Sequence, residues 1–181
     1  MTDRHPLRLT PLPAQEWDDA ARASLASLIP PDRTNPSGAG NVLATMVRHP
    51  DLTAAYLPFN AYLLMNSTLS PRIREVALLR VVLRGNSDYL WSHHLPIAAR
   101  VGLSPEDISG IESGNCPEAH DQVVIQAVDD LTTHYTVSEA TWEELGRVFT
   151  DEQRMDLVFT IGGYLLLAMA VNTFGVQPEH S

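Results

Sequence analysis

The chain has 181 residues, 44% of them apolar, and a formal net charge of −10, which describes a globular domain that needs no disulfide or metal to hold a core. So acidic a surface repels phosphate backbones and anionic lipid, which argues against nucleic acid and membrane surfaces as partners. The single cysteine, Cys116, excludes an internal disulfide and a cysteine-only metal site; no apolar run is read as reaching the roughly 18 residues of a bilayer span, and MTDRHPLRLTPLP has no apolar signal core, so a cytoplasmic protein is expected.

The chain reads as all-α. Residues 1–13 are Pro-rich and extended, and 14–29 carry Trp17, Ala21, Leu25 and Leu28 at helical spacing. IPPDRTNPSGAGN holds three Pro and two Gly and reads as a loop. A short helix follows from Val42 to Arg48 and stops before His49-Pro50, because the residue before Pro avoids the helical region. Asp51 is placed to cap a helix to about Met65, with Pro58 kinking it or marking a break. Ser70-Pro71 caps a helix to Arg84, which Gly85-Asn86 ends. Ser87 or Asp88 starts the next, which runs to Val101 with Gly102 beyond it; Pro96 is expected to kink it beside His94. Ser104-Pro105-Glu106-Asp107 opens a further helix, residues 118–135 another, and Ser138 a short one through Trp142, Leu145 and Val148. Thr150 and Gln153 form a capping box for a last helix that is apolar nearly all round from Leu157, and so belongs in a core or a subunit interface, with Gly162-Gly163 allowing close helix approach.

Two ionisable residues sit on apolar faces of consecutive helices. Glu75 shares its face with Leu78, Leu79 and Val82. His94 shares its own with Leu90, Trp91, Ile97, Ala98 and Val101. Taken singly, each reads as a structural residue paired elsewhere in the core. The short turn at Gly85-Asn86, however, folds the two helices into an antiparallel hairpin. Glu75 lies ten residues before Gly85 and His94 eight after Asn86, which puts them within roughly 3 Å of one height at about 1.5 Å rise per residue. An acid–base pair at that level titrates as a unit and can move a proton. Arg72, Arg74 and Arg80 lie on or near the same helix; one of them, Arg74 by preference, can grip a substrate carboxylate. Tyr89 and Trp91 line a pocket or pack the core. His93 and His94 point about 100° apart and do not share one metal ion.

The stretch LSPRIREVALLRVVLRGNSDYLWSHHLPIAARVGLSPEDI resembles the core of the carboxymuconolactone decarboxylase family, which includes the alkylhydroperoxidase D-like (AhpD-like) proteins. The matching pieces are Arg74-Glu75, the Tyr89, Trp91 and His94 pattern, and Ala99 to Ser104. The resemblance covers about 42–133 of a helical domain spanning 41–181, with an N-terminal arm and helix over 1–40. It implies an AhpD-like helical bundle around a central antiparallel hairpin, working as a homo-oligomer: a dimer, trimer or hexamer.

Peroxidase members of that family carry C-x-x-C beside a Glu and a His. Placed here, the cysteines fall at Ser87 and Leu90, the Glu at Glu75 and the His at His94. The resemblance therefore implies the branch that lacks the redox pair: a cofactor-independent decarboxylase or isomerase, with no cofactor and no metal, in which Glu75 and His94 act on a small carboxylated or enolisable compound. Arg74, Tyr89 and Trp91 would bind that substrate. The alternatives are a non-catalytic oligomeric binding protein and, disfavoured by the missing cysteines, an alkylhydroperoxidase-type antioxidant protein.

Overall fold

The computed structural model describes residues 5–179. All regular structure among them is helical. The chain divides into two compact units, one formed by residues up to Asn66 with those from Ala170 onward, the other by Ser67–Met169.

The first unit contains α1 (Asp19–Ala23), α2 (Pro36–Met46) and α3 (Pro50–Ala61). Trp17, Ala21 and Leu25 are buried at the expected helical spacing and join Ala44, Val47 and Leu57 in a small apolar core. The helix expected over 14–29 is nevertheless only five residues long. Asp18 caps it by accepting from the Ala21 amide, and the Ser24 hydroxyl donates back to the Ala21 carbonyl. Beyond it the backbone tightens into i→i+3 bonds, such as Leu25 to Arg22 and Ala26 to Ala23. The Pro-rich loop is shorter than expected, because Asn35 caps α2 by accepting from the Gly38 amide with Pro36 at the first helical position. Gly40 then breaks α2 with φ 76°, a left-handed value that glycine adopts without strain, so the regular run begins near the expected Val42. The cap of α3 is His49, whose Nδ1 accepts from the Leu52 amide, and not Asp51, which lies in the first turn. One turn after Pro58 the helix passes into a π-helical stretch, Tyr62–Asn66.

The second unit is built around α4 (Pro71–Arg84), in which Glu75 through Val82 are all buried. Ser70 caps it through the Ile73 amide. It packs against α5 (Asp88–Arg100), α6 (Pro105–Ser113) and α7 (Ala119–His134). The turn between α4 and α5 closes through Asn86, at φ 50°, and the Ser87 amide donates to the Val82 carbonyl. α5 stays helical through Pro96. Ser104 and Asp107 complete a reciprocal capping box on α6. α8 (Glu139–Val148) is locked to α7 by Asp130, whose Oδ2 accepts from the Ser138 amide and from the Ser138 and Thr141 hydroxyls. Thr150 and Gln153 form the expected capping box at the start of α9 (Asp151–Phe174).

α9 is long and apolar enough to cross a membrane by length and composition, its most apolar stretch of 18 residues having a mean hydropathy of 1.8. This corrects the expectation that no segment is long enough: glycine, threonine and tyrosine interrupt its apolar run but bring no charge. One face of it is buried in the second unit through Leu157, Ile161, Tyr164 and Ala168. There Asp156 accepts from both the amide and the hydroxyl of Thr68.

Candidate functional site

The hairpin brings Glu75 and His94 together. Oε2 of Glu75 lies 3.0 Å from Nδ1 of His94. The two residues are 1% and 5% exposed. Ser70 and Pro71 set the start of α4 and so the rotation that turns Glu75 inward with Leu78, Leu79 and Val82, all buried. The Gly85-Asn86 turn then sets the height of α5. When Glu75 is ionised, Nδ1 carries the imidazole proton and donates it to Oε2, and Nε2 presents its lone pair. This is a carboxylate-oriented imidazole in an apolar setting, an arrangement suited to proton transfer.

Aromatic rings surround the imidazole. Tyr164 of α9, fully buried, meets the His94 ring edge-on with centroids 5.6 Å apart. His93 stands tilted to His94 at 5.5 Å and stacks on Tyr89, one turn back, at 6.1 Å. Tyr89 is thus buried at the edge of this aromatic group, while Trp91 is half-buried on α5. The contact of Tyr164 was missed in the sequence, where it reads only as core or interface. Its signal is a phenol inside an otherwise apolar helix, on the same face as Thr160, whose buried hydroxyl has no hydrogen-bond partner.

The arginines of α4 separate by role. Arg72 holds Asp107 with both guanidinium nitrogens, at 3.1 and 3.3 Å, and Asp121 at 2.6 Å. Arg80 is buried: it grips Asp129 with Nε and Nη2 at 2.8 and 2.6 Å and donates to the carbonyls of Ile111 and Glu112. Gly114, at φ 79°, belongs to that arrangement, since a Cβ there would stand 2.8 Å from Nη2 of Arg80. Arg74 differs from both. Its Nε is buried without a hydrogen bond and lies 3.9 Å from Oε1 of Glu75. Of the three arginines considered for carboxylate binding, Arg74 is the one next to the pair.

Residues 50–124 match the model of the carboxymuconolactone decarboxylase family. Over that stretch the chain is similar to this family. Glu75, His94, Arg74, Tyr89 and Trp91 all lie inside the matched segment. Two solved structures share the fold at 19% identity. One, from Ralstonia eutropha JMP134, is described as an alkylhydroperoxidase AhpD core and an uncharacterised peroxidase-related protein; it superposes with a TM-score of 0.75 over 97% of this chain and 94% of its own. The other, from Agrobacterium tumefaciens, is a protein of unknown function suggested by its name to serve in antioxidant defence as AhpD; its TM-score is 0.68 over 74% of this chain and 94% of its own. No curated protein matches the chain. The AhpD-like fold is thereby established.

In this chain the start of α5 carries no thiol. Ser87 and Leu90 occupy the positions where the peroxidase cysteines fall, and both are buried. Cys116 lies between α6 and α7, 9% exposed. Burial, with Asp121 and Asp107 nearby, pushes its thiol up to about 11, away from the thiolate that redox chemistry requires.

Proposed function

We propose that this chain is an acid–base enzyme of the decarboxylase or isomerase type, working without a cofactor on a small carboxylated or enolisable compound. The observation that carries this reading is the Glu75–His94 pair at 3.0 Å, buried among leucine and aromatic side chains with Arg74 beside it. In an isomerisation, Nε2 of His94 takes a proton from carbon next to the substrate carbonyl. The electron pair moves onto the carbonyl oxygen, Glu75 stabilises the imidazolium, and the same nitrogen returns the proton elsewhere on the enolate. In a decarboxylation, the electron pair of the breaking carbon–carbon bond forms the enolate as carbon dioxide leaves, and His94, first protonated at Nε2 by water, delivers that proton to carbon. Arg74 supplies positive charge for the substrate carboxylate or the developing enolate. Tyr89 and Trp91 shape the binding site on α5.

The redox reading, which the names of the two structural relatives suggest, lacks a thiol at Ser87 and Leu90. We read the protein as cytoplasmic and as a homo-oligomer. The exposed apolar side chains of α9 support the second.

The test is a panel of carboxylated lactones and β-keto acids, followed by carbon dioxide release and by solvent deuterium incorporation. With a substrate in hand, Glu75→Gln is expected to lower kcat by about 10²–10⁴-fold while the helical circular dichroism stays unchanged. Wild-type turnover in Glu75→Gln would make the carboxylate structural. Tight binding of panel compounds without turnover in either protein would favour a non-catalytic binding protein of the same fold.

A further inference from the structure

The face of α9 that points away from His94 carries a regular row of exposed side chains. Met155, Phe159, Leu166 and Met169 are 60%, 54%, 55% and 55% exposed. Gly162, also exposed, completes the row, and a Cβ added to it would meet nothing within 4 Å. The steps between these five positions are four, three, four and three residues, the repeat of a helix seam that packs against another helix. The opposite face is held in place by Asp156 on Thr68, Tyr164 against His94 and Ala168 beside Gly85. The row therefore cannot roll inward to bury itself.

We propose that this row is the docking surface for a second copy of the chain, paired antiparallel across a two-fold axis at Gly162. The inference rests on the homo-oligomer reading above and specifies its interface. The order of residues argues for a self-pairing contact. About Gly162 the large side chains stand at −7, −3, +4 and +7, so an antiparallel copy sets Phe159 against Leu166 of the partner subunit and Met155 against Met169 of the partner subunit. Such reciprocity is what an isologous interface demands. Gly162 at the crossing point lets the two backbones approach closely.

Charge selects the same orientation. The helix has no Asp, Glu, Lys or Arg from Leu157 to Phe174, and its exposed acids, Asp151 and Glu152, lie in the first turn. Parallel pairing would bring these acids of both copies together; antiparallel pairing separates them by nearly the length of the helix. The area is also sufficient. Four half-exposed large side chains offer about 400 Å² per copy, taking roughly 200 Å² for each when fully exposed. The resulting 800 Å² or so over two copies is about the apolar share of a small specific interface of roughly 1,200 Å².

Sedimentation of the full chain at micromolar concentration tests the proposal. Wild type is expected at twice 19.9 kDa or a higher even multiple. Leu166→Glu, an exposed change that leaves the helical circular dichroism intact, is expected to halve the assembled mass. A Leu166→Glu protein that keeps the wild-type mass would show assembly through another surface and overturn the proposal. A wild type at 19.9 kDa would overturn the homo-oligomer reading itself. Flotation of such a monomer with phosphatidylcholine vesicles, lost in Leu166→Glu, would assign the row to lipid instead. Orientation is read from disulfide capture with diamide in a Cys116→Ser background. Gly162→Cys is expected to link two copies, and Met155→Cys to link to Met169→Cys but not to itself. Self-linking of Met155→Cys would overturn the antiparallel order.

Discussion

Glu75–His94 and Arg72–Asp107–Asp121 are two ionic groups rooted on the same helix, three residues apart, and they are built differently. The first is one contact of 3.0 Å between side chains 1% and 7% exposed. The second is a cluster in which Arg72, 30% exposed, reaches two carboxylates on α6 and α7. The cluster fastens helices: it ties the first turn of α4 to the cap of α6, where Asp107 also accepts from the Ser104 amide. The dry pair fastens only two elements that a short turn already joins. Its burial is therefore more than the fold of the hairpin requires, and that surplus is what makes it a candidate for chemistry.

Separating the two groups by mutation gives the largest expected effect at the dry pair. His94→Ala leaves the Glu75 carboxyl buried among leucines and removes a ring packed on Tyr164, and is expected to cost about 3–5 kcal/mol in urea unfolding. A cost below about 1 kcal/mol would mean that the carboxyl finds solvent or another partner. Arg72→Ala is expected to cost less, about 1–3 kcal/mol, because solvent already screens that side chain. It should leave turnover of any identified substrate near wild type; a loss matching that of Glu75→Gln would merge the two groups into one site.

Acid separates the carboxylates of the cluster as well. Hydrogen bonding to Arg72 holds Asp107 down at about 2. Burial pushes Asp121 up despite the same arginine. A carboxylate depressed in the folded state stabilises it above the ordinary value near 3.8, and that contribution fades as pH falls toward 2. Asp121 acts oppositely, costing stability once ionised. Melting temperatures followed from pH 5 to pH 2 should therefore fall for wild type and fall less for Asp107→Asn. Equal slopes would remove Asp107 from the acid limb.

Smaller effects are expected away from both groups. Cys116 should react slowly with iodoacetamide at pH 8 while folded and readily in urea, since burial holds its thiol near 11. Fast native labelling would contradict that burial. Ser87→Ala should change stability by no more than about 0.5 kcal/mol, because its buried hydroxyl has no partner to lose.

Short-range geometry is legible in the residues of this chain. Ser70-Pro71, the Ser104–Asp107 box, the Thr150–Gln153 box and the Gly85-Asn86 stop all act within four residues, and each stands where its residues place it. The meeting of Glu75 and His94 was legible for the same reason: a short turn converts sequence distance into height, and 3.6-residue periodicity converts it into facing. The first helix shows the limit of that logic. Its buried periodicity was right, yet the Ser24 hydroxyl ended it early by a local bond that propensity does not show. Which arginine is available depends on long-range packing. Arg72 meets Asp121 and Arg80 meets Asp129, each across 49 residues, and no periodicity carries information over that span. Tyr164 reached His94 across 70 positions in the same way. Burial of a charge is settled by its partner, and that partner comes from wherever the packed chain returns.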